Sequence, residues 1–310
     1  MTTPIGGLRL TISPMVLRRA VEEWLSTDIS SFDVGAAIVG DSVGKAVFYW
    51  KSKSGVLAGF PFAEEVFRLL GCTVEWFVKE GTAMRLENEG VKRVAIGVVS
   101  GPIHRILQGE RTALEALTRA SACASYARLC VNRVPASWKG RVAATRKTTP
   151  GHYRLVEKYG AMVGGADPHR YNLSSMVMLK DNHIDAAGSI THAVQRARSL
   201  CGFSTKVEVE CRSEADAIEA CGAGADVVML DNFTPDRVSV SAPKIKAAFP
   251  ECIVEVSGGI DESTVARYAL PGVDILAIGK ITHGPPAIDI SLKLQVAVPP
   301  RESVAAPSKL

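Results

Sequence analysis

From Arg141 onward the chain alternates short apolar runs with helical stretches, and this alternation restricts the fold more than any other feature. The runs are Val142–Thr145, Met176–Leu179, Lys206–Val209, Asp226–Leu230, Ile253–Val256 and Asp274–Ile278. Strands that alternate with helices in this way build a parallel sheet. Each run ends on charge or on glycine: Arg146-Lys147, Lys180, Glu210, Asp231, Ser257-Gly258-Gly259 and Gly279. In a β/α barrel the carboxyl ends of all strands form one functional mouth. An open doubly wound sheet concentrates its ligands at a single switch point instead. A barrel with a polar mouth is therefore the expected fold of this region.

Successive strand residues point to opposite faces. If Glu210 and Ser257 point into the barrel, so do Glu208 and Glu255, while Lys180 and Asp231 share inward faces with Met178 and Met229. Buried charges need partners. Glu208 and Glu255 are accordingly expected to neutralise Lys147, Lys180 or Lys206.

The mouth is locally basic. Between Lys139 and His183 stand eight Lys or Arg against three acids. Arg146, Arg170 and Lys180 sit beside turn residues or at the end of an apolar run, where ligand-facing side chains belong. Arg154 and Lys158, in the helical segment RLVEKY, suit a solvated basic face. Arginine forks match carboxylates and phosphates in pairs, and lysine acts as a point charge. The expected ligand is an anion carrying several such groups. Ser257-Gly258-Gly259 and Gly279 offer backbone N–H groups to a phosphate, a weak signal alone because glycine-rich turns are common. Glu210 and Asp231 are hard oxygen ligands suited to Mg²⁺ shared with phosphates, or to ribose hydroxyls, with internal salt bridges as the competing explanation. The six histidines show no metal-ligand spacing, so a transition-metal site is not expected.

The first hundred residues read as a separate α+β unit. Ser13-Pro14 opens a helix in which Val16, Leu17, Ala20, Val21, Trp24 and Leu25 recur at helical spacing. Strands are expected at Lys45–Trp50, Thr73–Val78 and Val91–Val99, with a helix at Pro61–Leu70. A long helix, Ile103 to Cys130, follows. Its apolar stripe of Ile103, Leu107, Leu114 and Leu117 is interrupted by Glu110 and Arg111, which implies either an internal Glu110–Arg111 network or an arginine that leaves its own subunit. A net charge of +4 is too small for a nucleic-acid footprint. No run approaches the ~18 apolar residues of a spanning helix. The seven scattered cysteines, without a C-x-x-C pair, read as free thiols in a reducing compartment.

The ordered motifs TRKTTPG, HRY, MLKDNHI, VEVEC, MLDNF, SGGI and ITHGPPAID, with SGVLAGFPF and GERTALE before them, resemble the quinolinate phosphoribosyltransferases, also called nicotinate-nucleotide pyrophosphorylases. The similarity spans nearly the whole chain and is nearest to eukaryotic forms. It implies an N-terminal α/β sandwich over residues 1–125, completed by residues 285–310, and a seven-stranded TIM-like α/β barrel over residues 126–284. It implies transfer of a phosphoribosyl group from 5-phosphoribosyl 1-pyrophosphate (PRPP) to quinolinate, giving nicotinate mononucleotide, pyrophosphate and CO₂ for NAD synthesis. By motif position Arg146, His169 and Arg170, with Thr145 beside them, hold the quinolinate carboxylates. Arg111 comes from a neighbouring subunit of a homodimer with shared active sites, dimer and hexamer both remaining open. Lys147 and Lys180 meet carboxylate or pyrophosphate, Glu210 and Asp231 serve ribose and Mg²⁺, and Ser257, Gly258, Gly259 and Gly279 bind the 5-phosphate.

This chain departs from the family pattern at Glu115, at Ala122-Cys123 and in the extra residue at His152-Tyr153, none of them an implied ligand. Two other readings stay open: an aldolase with Lys180 as Schiff-base nucleophile, and a non-enzymatic binding relative, which would be expected to lack Glu210 or Asp231. The terminal Ser308-Lys309-Leu310 matches the peroxisomal import tripeptide, so peroxisome and cytosol are both expected locations.

Overall fold

The computed structural model describes residues 5–86 and 92–295. Its first part carries strands β1 (Val43–Trp50), β2 (Ser54–Val56), β3 (Thr73–Trp76), β4 (Ala83–Arg85) and β5 (Val94–Pro102). β1 pairs antiparallel with β5 and β5 with β3, while β2 and β4 form a separate ribbon. The free edge of β1 is taken by Ile290–Gln295 from the far end of the chain, with Trp50 facing Ile290 and Lys45 facing Gln295. This is the described portion of the segment expected to complete the first unit. Val91, the expected start of β5, and residues 296–310 with Ser308-Lys309-Leu310 lie outside the described residues.

One face of this sheet buries Phe48, Trp50, Ile96 and Val99 against Val66 and Phe67 of helix Phe60–Leu69 and against Ile106 and Leu117 of helix Ile103–Val131. Each such side chain contributes roughly 1.5–3 kcal/mol by leaving water. The start of helix Phe60–Leu69 is held by a buried acid. Glu80 accepts the N–H groups of Gly59 (2.6 Å) and Phe60 (3.0 Å) and the hydroxyl of Tyr159 (2.6 Å). Burial raises the pKa of this carboxyl, and its three donors lower it again in part.

The second part contains β6 (Arg141–Ala143), β7 (Val177–Leu179), β8 (Val207–Cys211), β9 (Val227–Asp231), β10 (Ile253–Ser257) and β11 (Ile275–Ala277), a parallel sheet in the order β6-β11-β10-β9-β8-β7. Beyond β6, where a seventh strand would run, a single parallel bridge joins Ala143 to Asp167. Val207, Val209, Val228, Leu230, Val254 and Val256 pack outward into the helical layer. Pleating then turns Glu208, Glu210, Met229, Asp231, Glu255 and Ser257 inward. The fold is the expected α/β one, consistent with a TIM-like barrel.

Helix Ile103–Val131 links the two parts, and residue 125 lies within it. It presents small residues to helix Tyr153–Gly164: a Cβ on Gly160 would stand 2.4 Å from the Ala120 carbonyl oxygen, and one on Gly164 2.5 Å from that of Ala124. Only glycine permits so close an approach. The expected apolar stripe of this helix holds only in part. Leu114 and Leu117 are buried, Ile103 is half-buried, Leu107 is exposed, and exposed Arg111 pairs with Glu115 at 3.4 Å rather than with Glu110. The one-turn spacing of Arg111 and Glu115 favours that pair over adjacent side chains, which diverge. Among the described residues no helix is long and apolar enough to cross a membrane.

Candidate active site

The carboxyl ends of the parallel strands open on a cavity of about 460 Å³. Thr145, Arg146 and Lys147 reach it after β6, His169 and Arg170 after the Asp167 bridge, and Lys180 after β7. Glu210 and Asp231 come from β8 and β9, Ser257, Gly258 and Gly259 from the end of β10, and Gly279 from beyond β11. Met178 and Met229 line it as strand alternation predicts. Arg111 alone of the candidates stands apart, on the outer face of its helix.

One wall is cationic, and its backbone is fixed from beneath. Lys158, expected on a solvated face, is instead buried, with its ammonium donating to the carbonyl oxygens of Thr145 (2.9 Å), Arg170 (3.1 Å) and Pro168. Burial pushes its pKa down to about 8. It earns burial because three main-chain acceptors converge where its helix passes under two loops. The neighbouring Glu157, also buried, accepts from Arg119 (2.8 and 2.7 Å) and from the Thr149 amide (2.8 Å) and hydroxyl (2.7 Å). The Thr282 hydroxyl donates to the Lys147 carbonyl at 2.7 Å. The main chain is thus pinned while the side chains of Arg146 and Lys147 are exposed, with no hydrogen-bonded partner among the described residues. Arg170 gives one N–H to the Met176 carbonyl at 3.2 Å and keeps a buried Nε without a partner. Its pKa is lowered by burial first and by the charge of Arg146 second. Two guanidinium groups therefore repel each other across the cavity wall.

The facing wall is acidic. Lys180 forms an ion pair with Glu210, and Asp231 accepts from the Asn232 amide at 2.6 Å. The pKa of Asp231 is raised, chiefly by burial and next by the charge of Glu210. Gly258 (φ 99°) and Gly259 (φ 66°) occupy the left-handed region. A Cβ on Gly258 would strike Asn232 Oδ1 at 2.2 Å, whereas one on Gly259 meets nothing within 4 Å. The first glycine lets the β10 turn pack on the β9 turn, and the second is exposed, with open space beside its Cα.

One layer deeper the expected lysine pairings are not formed. Glu255 pairs with His169 at 3.2 Å, and fully buried Glu208 has no hydrogen-bond partner on either oxygen. Burial and the charge of Glu255 raise the Glu208 pKa to about 9, so it is neutral at pH 7 and needs no lysine. Lys180 is engaged by Glu210, Lys147 stands at the rim, and Lys206 is exposed. Ligand atoms of His169, Glu208 and Glu255 lie within 4.8 Å of one another, close enough to hold a cation.

Two family models match the chain. Quinolinate phosphoribosyl transferase, N-terminal domain, covers residues 28–121, and its C-terminal domain covers residues 123–293. The chain belongs to the quinolinate phosphoribosyl transferase family. It is 44% identical over 289 residues to the nicotinate-nucleotide pyrophosphorylase [carboxylating] of Dictyostelium discoideum, covering 90% of this chain and 96% of that one. Against the Homo sapiens protein of the same name identity is 44% over 289 residues, covering 93% and 95%. The solved nicotinate-nucleotide pyrophosphorylase of Francisella tularensis superposes with a TM-score of 0.80 at 31% identity, covering 92% of this chain and 98% of that one.

Beyond the residues read from this family's motifs, the structure adds Lys158, Glu157, Asn232 and Glu255 to the site's framework. Alternation had placed Glu255 inward. Asn232 stands in the motif MLDNF without a role of its own there, and nothing in the sequence marks Glu157 or Lys158, because Lys158 binds main-chain carbonyls, which every residue carries.

Proposed function

We propose that the cavity binds quinolinate and PRPP and joins them to nicotinate mononucleotide, with release of pyrophosphate and CO₂. The observation that carries this reading is the pair Arg146 and Arg170, mutually repelling on one wall and facing Glu210 and Asp231 on the other. A dianion such as quinolinate satisfies both arginines, each pair a charge-assisted fork. Lys147 and Lys180 hold carboxylate and pyrophosphate, and the turn from Ser257 to Gly259, with Gly279, takes the 5-phosphate.

Glu210 and Asp231 fit Mg²⁺: they are hard oxygen donors on adjacent strands, their mutual repulsion is relieved by a cation, and such ions use one or two carboxylates plus substrate phosphates. When bound, the ion would neutralise charge on the pyrophosphate. The pyridine nitrogen of quinolinate forms a bond to ribose C1 as the C1–oxygen bond to pyrophosphate breaks. Positive charge builds on the sugar, and Glu210 and Asp231 stabilise it electrostatically. The ribosylated nitrogen is cationic, so it stabilises the electron pair left on the adjacent ring carbon when that carbon's carboxylate departs as CO₂, and a proton then bonds to that pair. Lys180 is engaged in an ion pair with Glu210, which a Schiff-base role would first have to break. Incubation with quinolinate, PRPP and Mg²⁺ should yield CO₂ and nicotinate mononucleotide; no CO₂ above a Lys180→Ala control would refute the assignment.

Arg111, on an outward face, completes the site of a partner subunit in this proposal. Subunits carrying Arg111→Ala, mixed with subunits carrying Lys180→Ala, should recover roughly a quarter of wild-type activity, since half the dimers are mixed and half their sites are intact. Verified mixed dimers without activity would exclude the shared site.

A further inference from the structure

We infer that Glu255 is a positioning residue for quinolinate binding, acting through His169 on Arg170. The inference rests on the reading of this cavity as the quinolinate site. His169 has φ 58°, a left-handed conformation that is strained for a residue with a Cβ and persists only where surroundings impose it. Its ring is nearly enclosed, and both nitrogens are engaged inside the protein. The Arg170 backbone N–H donates to Nδ1 at 2.6 Å, so Nδ1 carries no proton. Nε2 faces the Glu255 carboxylate at 3.2–3.3 Å, so the ring proton resides there and is donated to Glu255. A ring bonded in this way has no N–H left for a substrate carboxylate.

His169 is therefore a bracket. Glu255 on β10 fixes the tautomer, the tautomer provides the acceptor for the Arg170 amide, and the amide sets where the Arg170 guanidinium enters the cavity. The other ends of the same turn are tied independently, the Asp167 side chain accepting the His169 N–H at 2.7 Å and Lys158 taking the Arg170 carbonyl. Among these ties only the Glu255 contact reaches across the barrel to another strand. It couples the quinolinate arginine to the strand that ends in Ser257 and the glycine turn.

The test compares Glu255→Met, which keeps volume but offers no acceptor, with Glu255→Gln, whose amide oxygen still accepts from Nε2. In wild type, ¹⁵N spectra of histidine-labelled protein, assigned by loss of one signal pair in His169→Gln, should show Nε2 protonated and Nδ1 not. Glu255→Met should raise the quinolinate KM about 10- to 100-fold, the range for losing one hydrogen bond to a charged group, with the PRPP KM held. Glu255→Gln should keep the wild-type tautomer and restore most of the quinolinate affinity. An Nδ1-protonated or chelator-sensitive His169 signal in wild type overturns the inference, the latter because a cation would then occupy the Nε2 position. So does a folded Glu255→Met with unchanged quinolinate KM, or with both KM values raised alike. If Glu255→Met does not fold, the wild-type and Glu255→Gln spectra still decide. If wild type fails to convert quinolinate, the functional proposal falls while the tautomer result stands alone.

Discussion

Glu210 and Asp231 differ from Glu208 and Glu255 by a single strand layer, yet the two pairs live in different chemistry. The upper pair borders the open cavity, where Lys180 and Asn232 supply partners and solvent or substrate can reach. The lower pair is buried, one member bonded to a histidine and the other to nothing among the described residues. Burial raises the pKa of Glu208, which has no partner, whereas Glu255 finds one in His169. Strand position alone therefore does not assign function; the partners each carboxylate finds do.

The largest effect should come from the upper layer. Asp231→Asn or Glu210→Gln should lower kcat by about 10²- to 10³-fold, the scale for removing one electrostatic stabiliser of a developing charge. Because Asp231 is held with a raised pKa, its Asn variant should melt no lower than wild type in differential scanning calorimetry. A variant that lost activity only by unfolding would erase the distinction between the layers.

Beneath the cationic wall, Lys158→Met leaves three carbonyls without their donor. Denaturant unfolding should show a loss of about 3 kcal/mol, one or more per unsatisfied group. Arg146→Ala should be milder in stability and specific in kinetics, with the quinolinate KM raised roughly 10- to 100-fold and the PRPP KM little changed. Equal rises in both would move Arg146 out of the quinolinate subsite.

Glu208→Gln should have the smallest effect, since it replaces a neutral acid with a neutral amide. Its signature is in pH. The folded pKa, near 9, lies above the unfolded value of 4.5, so Glu208 favours the folded state at low pH and loses that contribution as pH rises between the two values. Relative to the Gln variant, wild type should lose stability steadily above about pH 4.5 and run parallel to it below. A parallel course throughout would mean that Glu208 ionises normally.

Much of this was readable in the sequence because strand alternation and residues at strand ends are local signals. The polar ends at Lys180, Glu210, Asp231 and Gly258 follow from pleat and chain order alone. The inward turn of Glu208 and Glu255 was readable too, but their partners were not. A pairing across the barrel depends on which loop reaches over, and His169 arrives on a turn that no periodicity describes. Lys158 escapes for the same reason: its helix reads as having a solvated basic face until two loops fold over it. Glu115 reads in the sequence only as a departure from the family pattern, and its pairing with Arg111 along the exposed helix face shows in the structure.

The central claim is that the arginine wall selects a dicarboxylate and that the acidic wall then turns it over. It is tested most directly by kcat/KM for quinolinate and for nicotinate, each with PRPP and Mg²⁺ under identical conditions. A site built around two carboxylates should prefer quinolinate by at least about a hundredfold. Comparable values for the two substrates would contradict the account.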